Sequence, residues 1–250
     1  MMRDFGAEAF DIVIQAGQSN SDGTGYGGAA EPFAPYGDIW HLENDGRACF
    51  VTPAREEVRG NDIHAHFGLT FAKAYIDAGR LGPGRRVLIV RSAVGGTGFS
   101  DGRWGPMDDL FLRMMDMTDT ALRLNSANRA VALLWHQGET DAEHGAEEEY
   151  YFAHLSALVA AVRELCGAPG LPFVAGDFVR DWKLKHADIC APVIAATRRV
   201  CAEENARFAE LGDLPSNNEV LHNGDDIHFS REAQYAIGQR YFKKWEEIAE

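Results

Sequence analysis

The chain has 250 residues, of which 46% are hydrophobic and 25% charged, the proportions of an ordinary globular protein and not of a disordered, collagen-like or coiled-coil chain. Its 24 basic and 38 acidic residues leave a formal charge of −14. That balance repels phosphate backbones and anionic lipid surfaces, so neither a nucleic acid nor a membrane is the expected partner.

In chain order, the first apolar run is Phe10–Gly17. It is followed by Arg86–Ala93, Ala130–His136, Pro172–Asp177 and Arg207–Leu211, and each ends in glycine or polar residues. Continuous apolarity, as in Ile12-Val13-Ile14 and Val87-Leu88-Ile89-Val90, is the pattern of strands buried on both faces. The intervening segments carry apolar residues at steps of three and four, the helical period. They are His66–Gly79 (Phe67, Phe71, Ala74, Tyr75), Asp109–Leu124 (Leu110, Met114, Met117, Ala121), Glu147–Leu165, Ile189–Glu204 and Arg231–Ile248. Residues 20–60, rich in Gly, Pro and aromatics, read as a long loop over the active face. Alternating strands and helices predict a three-layer α/β/α sandwich around a central parallel sheet of about five strands. No linker or repeat divides the chain, which reads as one domain over residues 1–250.

Four cysteines, Cys49, Cys166, Cys190 and Cys201, lack C-x-x-C spacing, which argues against a zinc or dithiol site. The Met1–Phe10 segment has no apolar core of a signal peptide, and no run of 18 apolar residues occurs. A cytoplasmic location is the expectation.

In open parallel sheets, ligands bind beyond the carboxyl ends of the strands. There the chain places Gly17-Gln18-Ser19-Asn20, then Gly95-Gly96-Thr97, then His136-Gln137-Gly138-Glu139-Thr140-Asp141, and, before the last helix, Asp225-Asp226-Ile227-His228. Gly-Gln-Ser-Asn, Gln-Gly-Glu-Thr-Asp and Asp-x-x-His, in this order across residues 10–245, resemble the sialate O-acetylesterase and acetylxylan esterase group of the SGNH hydrolases. The resemblance implies a flavodoxin-like sheet and a serine esterase acting on an acetylated small carbohydrate, without a cofactor or metal.

Serine becomes a nucleophile only when a base takes its proton. Ser19 is the candidate nucleophile, although a serine at that point could equally cap a helix. Ser21 stands where a Gly-x-Ser-x-Gly elbow would need glycine, which argues against an α/β-hydrolase. His228 is the candidate base, and Asp225, three residues earlier, the carboxylate that orients it. Asp226 is the rival for that role, but only Asp225 fits the spacing. Gln18 and Asn20 read as supporting residues around the serine. The Ser19 amide is one candidate oxyanion donor, and the resemblance adds Gly96, with Gly95 as an alternative register, and Gln137. Glu139 and Asp141 could form an acid–base pair, but the resemblance makes Glu139 a loop-fixing residue. His64, His66, His136 and His222 match no H-E-x-x-H metal pattern. Trp40, Trp104 and Phe99 are candidate walls for a sugar ring, and Arg55, Arg59 and Arg103 candidate clamps for an anionic group. Two rival classes are an SGNH lipase or thioesterase for longer acyl chains and a catalytically silent carbohydrate-binding protein. The sequence sets no oligomeric state.

Overall fold

Three consecutive β-branched residues, Ile12-Val13-Ile14, sit at the centre of a seven-stranded sheet and are wholly buried, because helices cover both faces and leave no side of the strand for polar residues. The structure, a computed structural model, describes residues 5–27, 32–203 and 205–249. Residues Met1–Asp4, four residues of the 20–60 segment and Glu204, the predicted end of the Ile189 helix, lie outside them.

In chain order the elements are β1 (Ala9–Gly17), α1 (Ser19–Asp22), β2 (Ile39–Asn44), β3 (Cys49–Pro53), β4 (Glu57–Arg59), β5 (Asp62–His64), α2 (Gly68–Asp77), β6 (Arg85–Ala93) and α3 (Asp109–Arg123). They continue with β7 (Arg129–His136), α4 (Glu139–Glu143), α5 (Glu148–Leu165), β8 (Phe173–Gly176), α6 (Arg180–Lys185), α7 (Ala187–Cys201), β9 (Ala206–Ala209), α8 (Asn217–Leu221) and α9 (Arg231–Glu246). The sheet order is β3-β2-β6-β1-β7-β8-β9, and only the β2–β3 pair is antiparallel. Helices α2 and α9 pack on one face, and α3, α5 and α7 on the other.

All five predicted strands are present within two residues of the expected bounds. Among themselves they run β6-β1-β7-β8-β9, the flavodoxin-like order, with its switch point at β1. The expectation of a loop over residues 20–60 is corrected. That segment contributes β2 and the edge strand β3, joined by an Asp45-Gly46 turn, and the β4–β5 hairpin. The turn is tied by the Asp45 Oδ1 atom, which accepts from the Arg47 and Ala48 amides. Strand β2 carries His41 and Glu43 among its apolar residues, and no residue of β3 is fully buried. Both therefore lack the unbroken apolarity that marks the central strands.

The four cysteines are free thiols. Burial pushes Cys190 and Cys201 up to about 12, so both pack as small inert groups. Among the described residues, no helix is long and apolar enough to cross a membrane.

Candidate active site

Strand β1 ends at Gly17, whose φ is +132°. A Cβ there would lie 2.1 Å from the His136 carbonyl oxygen, so only glycine lets β1 and β7 end side by side. The Gln18 amide then donates to the same carbonyl at 3.0 Å, and the chain turns into the single turn of α1. Ser19 is thus the first helical residue, with Gln18 at the N-cap position. Its hydroxyl is not a cap. Ser19 Oγ lies 3.0 Å from His228 Nε2, across 209 residues of sequence.

His228 Nδ1 is 2.8 Å from Asp225 Oδ1, which assigns the Nδ1–H tautomer and leaves Nε2 as the acceptor for the serine proton. Burial pushes the Asp225 carboxyl up, but hydrogen bonds from His228 and from Asn217 outweigh it and hold the group below its ordinary range. Asp226, the rival, turns away to pair with Lys185. The serine is nearly buried while His228 and Asp225 are about one fifth exposed, so the open side of the site lies over the imidazole. A serine, a base and an orienting carboxylate in this order can pass a proton from hydroxyl to imidazole and stabilise the imidazolium that results.

Asn20 joins the serine turn to the histidine loop. Its Nδ2 donates to Glu139 Oε1 at 2.8 Å and to the Ile227 carbonyl at 3.1 Å, and its Oδ1 accepts from the Phe229 amide at 3.0 Å. The chain on either side of His228 is therefore held by the residue that follows Ser19. Glu139 is fully buried. Burial raises its carboxyl, yet His136, 3.5 Å away, and the Asn20 amide bring it below the usual range. It anchors Asn20, and among the described residues it makes no hydrogen bond or ion pair to Ser19 or His228. Gln18 does similar work on the other side, where its Oε1 accepts from Gln137 Nε2 and from the Gly138 and Thr140 amides.

A model described as "Carbohydrate esterase, sialic acid-specific acetylesterase" matches residues 9–247. The chain belongs to this family. Its fold is similar to the crystal structure of NanS, at 17% identity and a TM-score of 0.78, with 99% of this chain and 98% of that one covered. It is also similar to a protein from Arabidopsis thaliana, at 21% identity and a TM-score of 0.75, with 96% and 99% covered. A carbohydrate acetylesterase from Xanthomonas citri matches at 17% identity and a TM-score of 0.65, covering 96% of this chain and 56% of that longer one. At these identities the likeness establishes the α/β/α fold alone. No curated protein matches the chain.

Several sequence-predicted positions of this family member are corrected by the geometry. Gln137 is 3% exposed, and its Nε2 has three acceptors, Gln18 Oε1, the Thr97 carbonyl and Asp141 Oδ2, at 2.6–3.1 Å, while its Oε1 accepts from Tyr151. An amide nitrogen has two hydrogens, so none is left for an oxyanion. Of the two glycines after β6, Gly95 abuts the nucleophile: a Cβ there would lie 3.4 Å from Ser19 Cβ, whereas around Gly96 the space is open. The amides of Ser19, Gly95 and Gly96 donate to no group among the described residues.

Trp104 is fully buried, its Nε1 bonded to Thr97 Oγ1, with its ring edge-on to Trp135. Phe99 stacks on Trp135 in the same layer. Both are core residues and not substrate walls. Trp40 pairs in register with Leu88, five residues before the carboxyl end of β6 at Ala93, or about 16 Å down the strand. It packs on Phe5 and Arg86 instead. Arg103 is held by Asp109 through Nε and Nη2, and Arg59 by Asp22 and Glu57. Neither guanidinium stands free for an anion. Arg55 is exposed and lines a groove with Phe50 and Val58 that includes none of Ser19, Asp225 and His228.

Two residues of the site were not legible as such. Asp141 is wholly buried and accepts from the Phe99 and Ser100 amides as well as from Gln137, which pins the loop that carries Gly95. Asn217 opens α8 and reaches Asp225. A signal for it existed, since Ser216-x-x-Glu219 is the S-x-x-E capping box, and both of its reciprocal bonds are formed. Among the described residues, no three His, Cys, Asp or Glu side chains converge as a metal site.

Proposed function

We propose that this carbohydrate esterase family member removes acetyl groups from an O-acetylated small carbohydrate through an acyl-enzyme on Ser19. The observation that carries this reading is the continuous line from Ser19 Oγ through His228 to Asp225, with contacts of 3.0 and 2.8 Å.

Ser19 Oγ attacks the acetyl carbonyl carbon as its proton passes to His228 Nε2. The C=O electron pair moves to the oxygen, and the amides of Ser19 and Gly95, which donate to no group among the described residues, receive the charge in this reading. Collapse breaks the C–O bond to the sugar, whose oxygen takes the proton from His228. Water, deprotonated by the same imidazole, then attacks the acyl-enzyme and releases acetate, and Ser19 regains its proton. Asp225 stays ionised throughout and balances the transient imidazolium.

The test uses p-nitrophenyl esters of rising chain length and a set of acetylated sugars, with acetate release followed directly. Ser19→Ala is expected to lower ester hydrolysis by at least about 10³-fold. Wild-type activity in that variant would defeat the serine mechanism. Preference for long acyl chains would move the substrate to lipids or thioesters. Cleavage of simple esters with no acetate from any sugar would refute the carbohydrate alone.

A further inference from the structure

Asp225 has two carboxylate oxygens, and only one faces the base. The other, Oδ2, accepts from Asn217 Nδ2 at 2.8 Å. Asn217 is fully buried, and both polar atoms of its side chain and its backbone amide are in use. Nδ2 also donates to the Thr24 carbonyl at 2.8 Å, Oδ1 accepts from the Tyr26 amide at 3.3 Å, and the backbone amide donates to the His228 carbonyl at 2.9 Å. These partners fix which end of the carboxamide faces Asp225, because a flipped amide would set its oxygen against both a carbonyl and a carboxylate. The next amide, of Asn218, donates to the Asp225 carbonyl at 2.8 Å. One residue therefore ties together the loop after α1 and the orienting carboxylate through its side chain, and the backbone of the base through its amide.

We propose that Asn217 is a positioning residue that sets the proton affinity of His228 by sharing the charge of Asp225. This rests on the reading of Ser19, His228 and Asp225 as the catalytic triad. A carboxylate that already accepts an amide proton spreads its charge and grips an imidazolium less tightly than one that does not. The base is then easier to deprotonate and is available at lower pH. Without Asn217, Asp225 would spend its whole charge on the imidazole, and its rotamer would lose the stop that points Oδ1 at Nδ1.

The other charged or titratable groups around this pair come from several elements. Tyr26, set edge-on to His64, lies in the loop after α1. Arg59 of the β4–β5 hairpin is paired with Asp22, Asp226 with Lys185 of α6, and Glu139 stands behind Asn20. Substitution of Asn217 alters none of these side chains, and only Tyr26 loses a contact, that of its backbone amide, so a difference in titration between the parent chain and a variant is read chiefly at the Asn217–Asp225 contact.

The experiment is the pH profile of kcat/KM for p-nitrophenyl acetate in the parent chain, Asn217→Ala and Asn217→Asp, with thermal unfolding followed in parallel. The acid limb of kcat/KM reports protonation of the base in the free enzyme. It is expected to move up by about half a pH unit in Asn217→Ala and by about one unit in Asn217→Asp, where a second carboxylate meets Asp225. An acid limb unmoved or lowered in both variants, with activity and Tm falling together, would overturn the proposal and leave Asn217 as packing. Should Asn217→Ala not fold, Asn217→Leu, of similar volume and without a donor, decides in its place by the same acid limb. Full activity in Ser19→Ala would instead remove the triad and the proposal with it, so the two failures are told apart.

Discussion

The two ends of the central sheet each hold a buried or half-buried aspartate, and they treat it in opposite ways. At the amino end, Asp11 of β1 is wholly buried and accepts from Arg85 of β6 and Arg129 of β7, with Tyr75 of α2 on its second oxygen. Its partners are permanent cations, so the charge is fixed and clamps three adjacent strands. At the carboxyl end, Asp225 stands opposite a histidine, with a neutral amide on its other oxygen. Its partner is an imidazole with a free ring nitrogen turned to the serine hydroxyl, and the group stays partly exposed. A carboxylate that faces arginine holds a structure together, and one that faces imidazole in reach of a hydroxyl can run a reaction. The choice of partner, more than burial, separates the two roles.

The sharpest break of this comparison is to remove each charge in turn. Asp225→Asn is expected to lower kcat/KM for p-nitrophenyl acetate by up to about 10⁴-fold, because the amide supports the wrong imidazole tautomer, with little change in Tm. Asp11→Asn should do the reverse. Two arginines would be left facing a neutral group, at a cost of about 3 kcal/mol in urea unfolding, while activity per folded molecule is retained. If Asp11→Asn loses activity in the folded state, the separation between a structural and a catalytic end fails.

A third kind of buried group sharpens the contrast. His41 and His66 lie with ring centroids 5.1 Å apart beneath the serine turn, and burial holds both below the usual histidine range, with Arg91 also opposing the proton on His66. Both are neutral in the fold, and the His66 ring donates from Nδ1 to Gln15 Oε1. Below about pH 6.5 the unfolded chain binds protons that the folded one refuses. Stability is therefore greatest above that pH and falls as the pH drops, by up to about 1.4 kcal/mol per pH unit for each histidine. His66→Gln should remove its share of that slope in urea titrations at pH 7.5, 6 and 5. An unchanged slope would mean that His66 takes up its proton in the folded protein.

Much of the site was legible because its signals are local. Ser19 follows directly on a strand, Asp225 and His228 sit on one turn, and Gly17 permits the tight turn that exposes the serine. The residues misread were those whose role depends on what lies across the fold. Trp104 and Phe99 occur in a loop yet pack inward against Trp135. Gln137 has the right chemistry for an oxyanion donor, but Gln18, Thr97 and Asp141 take its hydrogens. Strand β2 and the edge strand β3 escaped because polar residues interrupt their apolar pattern, although the Asp45-Gly46 turn was a hairpin signal.

By itself, then, the amino-acid sequence determined the parallel core, the helices between its strands and the order of serine, aspartate and histidine, since apolar runs, helical periods and a three-residue spacing are properties of neighbouring residues. Only the tertiary structure decided that Gly95 and not Gly96 abuts the serine, that the tryptophans and Arg103 are committed elsewhere, and that Asn217 completes the line behind His228. Those outcomes rest on contacts between residues far apart in the chain, such as Ser19 and His228, and no local pattern records which partner reaches a hydrogen first.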